Sequence, residues 1–342
     1  MDAAGILGIG EGEAVRLFPG PEDTIRKTFR KLAREWHPDL CADPGAAEVF
    51  AHIVRLHDIA LGRVRPGAHG NPNARTWKLA DGGEMNVTPR AVHRGDVGDV
   101  LVTESTVAFE TAAGFEDVAE AELAAVSSFR FASDAMREGM KHFLPRHARR
   151  IDAIGLTVNI YGRPRDTMLL ADLKAALGGR IPPVHVAWIV SSLENMACYL
   201  DWLGVAHGAI SPENVLVSPS MHSVILVGGW GFSTPFGSRP RILPQRTLSL
   251  IPRMAAKGQT VDRTVDTALV RATAIDLLGA RGAAALASDG AVPDAMRTWL
   301  SLPPGGDARA DYRSWERCLT ESFGPRKFVK LEVNPAQVYG PA

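Results

Sequence analysis

The residues whose types and spacing most clearly suggest chemistry are the tripeptide His37-Pro38-Asp39 and the basic segment before it. That segment carries five cations at helical spacing: Arg26, Lys27, Arg30, Lys31 and Arg34. Such a row attracts and orients an acidic surface of another protein, and the proline fixes the backbone so that the next carboxylate points in one direction. The alternative interpretation is a solvated basic face, with His37 ending a helix and Asp39 in a turn.

Two amphipathic helices would position this tripeptide. Apolar residues recur at helical spacing between residues 21 and 36, after a proline and two acids that are typical of a helix start. A second helix is predicted at 46–61, and the prolines and glycine between the two segments forbid one continuous helix. The sequence therefore predicts an antiparallel helical hairpin within residues 1–62, with Phe29 and Trp36 in its core.

The pattern changes after residues 63–76, a stretch rich in proline, glycine and asparagine that is predicted to be a linker. Short strands are predicted within 77–110 and at 156–161. Helices are predicted at 115–129, 172–178, 184–204, 265–279, about 291–301 and 309–323. Strands followed by helices predict an α+β protein, with a small β-rich lobe and a larger α-rich lobe over 77–332 and a loose tail at 333–342.

Residues 13–61, above all the stretch IRKTFRKLAREWHPDLCADPGAAEVFAHIVRLHDIA, resemble a J domain of the DnaJ family. In that family a helical hairpin presents the His-Pro-Asp tripeptide to a DnaK-type chaperone ATPase. The resemblance implies that His37, Pro38, Asp39 and the five cations bind such a partner. The sequence has neither the Gly/Phe-rich region nor the CxxC repeats of full DnaJ proteins, so it would share only the J domain with them.

Residues 77–328 resemble the protein-kinase fold through several landmarks in the right order. The segment VAHGAISPENVLV (205–217) is similar to the catalytic loop, in which His207 and Asn214 match and Ala209 replaces the catalytic aspartate. The segment LVGGWG (226–231) is similar to the strand that ends in a metal-binding aspartate, and Gly229 stands at that position.

Further landmarks of this resemblance lie on either side. Residues 94–100 look like a degenerate glycine-rich loop, Glu110 stands at the position of the ATP-binding lysine, and Glu120 matches a helical glutamate. Asp266 fits a structural aspartate of a later helix. The resemblance implies that His207 and Asp266 brace the backbone, and that Asn214 is either a hydrogen-bonding loop residue or a metal ligand.

Phosphoryl transfer needs a lysine on the phosphates, two aspartates and an asparagine, and of these only Asn214 remains. An alanine accepts no proton and a glycine binds no cation. Glu110 would repel a triphosphate, and together with Glu120 it would bring two carboxylates close to each other. The resemblance therefore implies a pseudokinase, not an enzyme, without a cofactor or a metal site.

Composition and charge exclude several classes of protein. The 342 residues are 46% hydrophobic and 22% charged, which is enough for a core and for two or three domains. Because 38 Lys and Arg balance 38 Asp and Glu, a surface that binds nucleic acid or anionic lipid throughout is not expected. Three widely spaced cysteines indicate reduced thiols, and no signal peptide or membrane span is predicted, so a cytoplasmic protein is expected.

The leading functional hypothesis is a J-domain co-chaperone that stimulates the ATPase of a DnaK-type partner and binds a client or scaffold protein through residues 77–332. One alternative is an atypical nucleotide-binding protein or protein kinase in which another carboxylate, such as Glu213, acts. A further alternative is a structural or docking protein of a phage or host assembly.

Overall fold

The computed structural model describes residues 2–36, 41, 43–61, 74–255 and 258–340. Within these ranges it leaves out the side chains of residues 11, 22, 23, 26, 30, 34 and 255. The tripeptide His37-Pro38-Asp39 lies outside the described residues, so what the sequence predicts for it stays a prediction. The chain forms two compact units, residues 1–75 and 76–342.

The first unit is helical. Its helices are α1 (Ala3–Leu7), α2 (Glu22–Glu35) and α3 (Ala46–Ala60), with a 3-10 helix at Glu11–Arg16. The apolar faces of α2 and α3 meet in a core with these buried members: Ile25, Leu32, Trp36, Val49, Ile53 and Leu56. Phe29 packs against this core and stacks on His57 with ring centroids 4.1 Å apart. Both predicted helices are confirmed to within one residue at each end, as are Phe29 and Trp36 as core residues.

The second unit begins with strands. β1 (Arg75–Lys78) pairs with β2 (Glu84–Val87). An antiparallel sheet in the order β3-β4-β5-β7-β6 follows: β3 (Ala91–Arg94), β4 (Asp99–Val102), β5 (Thr106–Ala112), β6 (His147–Ala153) and β7 (Leu156–Gly162). Helices α4 (Glu116–Ser127) and α5 (Asp134–Met140) come between β5 and β6 in the chain. Because β1 begins at Arg75, the predicted linker 63–76 is too long at its C-terminal end, and its residues 63–73 lie outside the described part of the chain.

The five-stranded sheet is buried on both faces. On what we call the inner face, Val107 and Phe109 pack with Leu216 from the later part of the unit. On the outer face, Ala108 packs with Trp77. Because successive side chains of a strand point to opposite faces, this alternation decides which residues of β5 lie toward the rest of the unit.

Helices dominate the rest of the unit. They are α6 (Leu170–Ala176), α7 (Pro183–Leu203), α8 (Gln245–Leu250), α9 (Val265–Leu277), α10 (Ala283–Leu286), α11 (Asp294–Ser301) and α12 (Ala308–Phe323). The short strands are β8 (Met168–Leu169), β9 (Val205–Ala206), β10 (Val215–Ser218), β11 (Ser223–Leu226) and β12 (Thr234–Pro235). The predicted helices are confirmed with ends that move by up to three residues, and the protein is mixed α and β with a helical N-terminal region. Within the described ranges, no helix is both long and apolar enough to cross a membrane.

The prediction of a loose tail at 333–342 is wrong for most of that segment. A capping box that starts at Asn334 opens a short helix, α13 (Pro335–Tyr339). Tyr339 then donates a hydrogen bond to the Asp172 carboxylate at 2.7 Å. The proline and glycine content of this segment predicts a loop. The capping box and the hydrogen bond of Tyr339 to Asp172 nevertheless order it.

Candidate functional site

The basic face predicted on α2 is described in part. Lys27 and Lys31 are exposed and lie one turn apart, on the side of the helix away from buried Ile25 and Leu32. The remaining cations of the row have side chains outside the description: Arg26, Arg30 and Arg34. The two described lysines of this face are therefore in contact with solvent.

A cavity of about 350 Å³ lies in the second unit, between the β3–β4 hairpin and the helical part. Thr111 and Glu122 line it from the sheet side, and Ala209, Asn214 and Gly229 line it from the helical side. The fold thus brings together residues 94–100, the loop at 205–217 and the segment 226–231, which the sequence identified separately.

Asp266 on α9 braces the loop after β9. Its carboxylate accepts hydrogen bonds from the backbone amides of His207 at 2.7 Å and Gly208 at 2.9 Å. Burial raises the pKa of Asp266 to about 6, although both amide bonds act in the opposite direction. Burial also lowers the pKa of His207 to about 3, which keeps its imidazole neutral against the ring of Trp230. This geometry is the backbone-bracing role expected of His207 and Asp266.

Asn214 uses its amide group inside its own loop. Its Nδ2 donates to the carbonyl oxygen of Ala209 at 2.7 Å, which corresponds to the first of the two roles that the sequence left open. Gly229 faces both residues with a φ of +83°, and a Cβ placed there would lie 2.9 Å from Asn214 Nδ2 and 3.0 Å from the Ala209 Cβ. A larger residue at position 229 would strain the backbone and displace these neighbours, so this corner of the cavity is built around glycine and alanine.

Phe109 fills the space beside the segment 226–231. A Cβ at Gly228 would lie only 1.9 Å from Phe109 Cζ, so the ring occupies the volume that a side chain at position 228 would need. The ring also packs edge-on against Tyr161 with centroids 5.8 Å apart. Phe109 thereby closes the apolar end of the cavity.

Glu110 is among the residues that line the cavity, and its side chain has a partner on the sheet. Its carboxylate lies on the outer face of the sheet, where Oε1 accepts a hydrogen bond from Trp77 Nε1 at 2.6 Å. Thr111, the next residue, lies on the inner face, is buried and lines the cavity. Trp77 thus engages the carboxylate of Glu110, and the repulsion of a triphosphate expected from the sequence stays a prediction.

The buried carboxylate of α4 is Glu122, whereas the predicted Glu120 is exposed. Glu122 accepts a hydrogen bond from the Tyr161 hydroxyl at 3.2 Å, and the backbone amides of Gly229 and Gly231 also donate to it. Burial raises the pKa of Glu122 to about 7, against the effect of these three hydrogen bonds. The expectation that Glu110 and Glu120 bring two carboxylates together is wrong, because α4 lies against the inner face.

Two polar contacts hold the β3–β4 hairpin against the helical part. Asp96, in the turn of the hairpin, accepts a hydrogen bond from the backbone amide of Gln245 at 2.7 Å. His93 Nε2 lies 2.8 Å from Asp172 Oδ1. Burial alone lowers the pKa of His93, but the hydrogen bond to Asp172 and the charges of Asp172 and Glu213 raise it overall. The cavity is therefore bridged by polar contacts on the side of the hairpin.

Sequence reasoning missed Thr111, Glu122 and Asp172 as members of this site. A signal for Glu122 is present, because Val118, Ala119 and Glu122 share one helical face and all three are buried. No such signal marks Thr111, since β5 has buried residues on both faces and alternation cannot tell the inner face from the outer face.

The chemistry available in the cavity is polar. The acidic residues of its lining are Asp96, Asp99, Glu110, Glu122 and Glu213, the hydroxyl residues are Thr111, Ser211 and Thr247, and the arginines are Arg94 and Arg246. Positions 209 and 229 supply no polar side chain. Among the described residues, no three or more His, Cys, Asp and Glu side chains are grouped so that they could hold a metal ion.

Comparison with known proteins finds similarity in the N-terminal region. No protein-family model matches the chain. A stretch of 35 residues is 51% identical to DnaJ homolog subfamily C member 16 of Rattus norvegicus and covers 10% of this chain and 4% of that protein. The chaperone protein DnaJ of Prochlorococcus marinus (strain MIT 9313) is 43% identical over 37 residues, 11% of this chain and 10% of its own length.

The chaperone protein DnaJ of Lysinibacillus sphaericus is 36% identical over 58 residues, which is 16% of either chain. The protein thus spans only 4% to 16% of the length of these curated relatives. These short matches support a J domain in the N-terminal region.

Proposed function

We propose that this protein is a J-domain co-chaperone whose helical hairpin binds a DnaK-type chaperone and stimulates its ATPase. The observation that carries the proposal is the similarity of the N-terminal region to DnaJ proteins, in a sequence that contains His37-Pro38-Asp39 directly after a basic helix. The exposed Lys27 and Lys31 on α2 support it, because exposed cations at helical spacing suit an acidic partner surface.

The second unit, on this proposal, is a pseudokinase-like module that binds a client or scaffold protein and transfers no phosphoryl group. The support is chemical. Ala209 and Gly229 supply no carboxylate, Asn214 donates its amide to Ala209, and Phe109 occupies space beside Gly228. A phosphoryl-transfer site needs carboxylates that hold metal ions and accept a proton.

The test of the first part is a single-turnover ATPase assay with a bacterial DnaK and the full chain. Asp39→Asn and His37→Gln are expected to abolish the stimulation, because the first removes the charge of the carboxylate and the second replaces the imidazole, each with a small change in size. The matched control is Asp43→Asn, the same chemical change in the same inter-helix segment, and it is expected to retain stimulation.

Stimulation that survives both Asp39→Asn and His37→Gln would refute the co-chaperone proposal. Equal loss in Asp43→Asn would mean that the segment, and not the tripeptide, is responsible.

The second part is tested with magnesium and labelled ATP on the same protein. We expect neither bound nucleotide nor autophosphorylation. A phosphorylated product that disappears in Glu213→Gln would establish the alternative of an atypical kinase, since Glu213 is the carboxylate of the 205–217 loop that lines the cavity.

A further inference from the structure

The C-terminal helix α13 contacts residues 163–172, the connection between the sheet and the helical part of the unit. Tyr339 donates its hydroxyl proton to Asp172 Oδ2 at 2.7 Å and accepts a hydrogen bond from the Leu169 amide at 2.9 Å. The guanidinium of Arg163 lies 5.3 Å from the centre of the tyrosine ring. One side chain thus makes three contacts at this point, each with a residue that precedes it by more than 160 positions.

Asp172 links this helix to the cavity. Its Oδ1 is bonded to His93 Nε2 at 2.8 Å, so each carboxylate oxygen has a partner of its own. His93 is in β3, and both it and the turn of the β3–β4 hairpin line the cavity. Tyr339 therefore holds the carboxylate that anchors the cavity wall. An Asp172 without the tyrosine would be free to rotate away from His93.

The C-terminal segment has other attachments: the partly buried Val333 and Val338 pack against the core, and Phe328 stacks on His222 with ring centroids 4.0 Å apart. Residues 325–330 are exposed, and α13 contains no fully buried residue. Leu331 is the buried apolar residue of the chain between α12 and α13. Because α13 itself has no fully buried residue, it can open locally without unfolding the core that it leaves.

The connection is also held to the sheet by hydrogen bonds that do not involve Tyr339. Arg163 donates hydrogen bonds to the backbone carbonyl oxygens of Thr103, at 2.9 Å, and of Glu104 and Thr167. These bonds join the sheet to the connection without using Tyr339. Departure of α13 would therefore weaken the His93 contact of the hairpin, while the contact between Asp96 and Gln245 and the attachment of the two parts of the unit remain.

We propose that residues 334–340 are a releasable strap that keeps the cavity closed. With the strap in place, Tyr339 fixes Asp172, Asp172 fixes His93, and the β3–β4 hairpin stays against the helical part. With the strap removed, the contact between Asp96 and Gln245 holds the hairpin without the support of a fixed Asp172. The hairpin then opens more often and exposes the hydroxyls of Thr111 and Ser211 to solvent. The strap thus regulates access to the cavity, and this regulation does not involve the tripeptide of the first unit.

Hydrogen–deuterium exchange of the full chain, read by mass spectrometry on peptides that cover residues 91–102, tests the strap. Tyr339→Phe removes the donor to Asp172 and keeps the ring, so exchange of the hairpin amides is expected to rise about tenfold, as loss of one hydrogen bond to a charged group implies. A chain that stops after Val333 is expected to show at least the same rise.

The matched control is Tyr312→Phe on α12, which removes a phenol that has no hydrogen bond among the described residues and should leave the hairpin unchanged. A second readout is the rate at which a small thiol reagent labels Thr111→Cys, which should increase when Tyr339→Phe is added. If Tyr339→Phe leaves both the hairpin exchange and the labelling rate of Cys at 111 unchanged, the strap proposal is wrong, whatever the truncated chain does.

Discussion

The helical hairpin of the first unit and the cavity of the second unit place their polar residues in opposite ways. On α2, Lys27 and Lys31 are exposed, and the apolar residues of the same helix form the core. Around the cavity, the carboxylates of Asp266 and Glu122 are buried and satisfied by hydrogen bonds within the protein. Polar groups are available to a partner in the first case and hold loops in place in the second.

We therefore expect substitutions of the buried carboxylates to change stability and substitutions of the exposed lysines on α2 to change binding. A buried carboxylate that accepts backbone amides cannot be removed without leaving those amides unsatisfied. An exposed lysine has water as its alternative partner, so its removal costs the fold little.

The largest effect is expected for Asp266→Ala. The substitution leaves the amides of His207 and Gly208 buried without an acceptor and opens a small cavity, so we expect unfolding to become easier by about 3 kcal/mol. Urea unfolding followed by tryptophan fluorescence measures the change. Asp294→Ala, which removes an exposed partner of Arg297, is the control and should change stability by less than about 0.5 kcal/mol. Equal effects of the two substitutions would break the comparison between buried and exposed carboxylates.

An effect of similar size that depends on pH is expected for Glu122. Its pKa is raised to about 7 in the folded protein, so the native state keeps a proton that the unfolded chain loses near pH 4.5. The contribution of this group is therefore fully present below pH 4.5 and is lost as pH rises through 7. Relative to Glu122→Gln, the wild type should lose on the order of 3 kcal/mol between pH 4.5 and pH 7.5.

Urea unfolding of both proteins at several pH values measures this relative loss. Glu120→Gln, an exposed glutamate on the same helix, is the control and should follow the wild type at every pH. Parallel curves for wild type and Glu122→Gln would show that Glu122 is not the group that titrates.

The smallest effect on stability is expected for the double change Lys27→Glu and Lys31→Glu. Both side chains are exposed, so the free energy of unfolding should change by less than about 0.5 kcal/mol. Stimulation of a DnaK-type ATPase should fall severalfold at low salt, and the difference should narrow as salt screens the charges. A large loss of stability with unchanged stimulation would reverse the roles assigned to the two regions.

Much of the fold could be predicted from periodicity. The helices around Leu32 and Ile53 were predicted to within one residue, because a helical apolar face is a local property of the sequence. The C-terminal helix was missed, because its composition is that of a loop and its stabilising contact is made by Tyr339 with the distant Asp172.

The site was predicted less well than the fold, for a physical reason that Glu110 and Glu122 illustrate. Spacing identifies the strand and the helix that carry a residue, but a shift by one residue in a strand, or by two in a helix, moves a side chain to another face. The Glu110 carboxylate therefore points to Trp77 and the Thr111 side chain lies on the inner face, although both residues line the cavity.

By itself the sequence determined the two amphipathic helices and the order of strands and helices, since these depend on neighbours in the chain. It also shows directly that positions 209 and 229 carry no carboxylate. Only the tertiary structure decided that Glu122 is buried, that Phe109 fills the space beside Gly228 and that Tyr339 reaches Asp172. The reason is that each of these contacts joins residues far apart in the chain, and their energy comes from burial and hydrogen bonding that exist only when the packed elements exclude water.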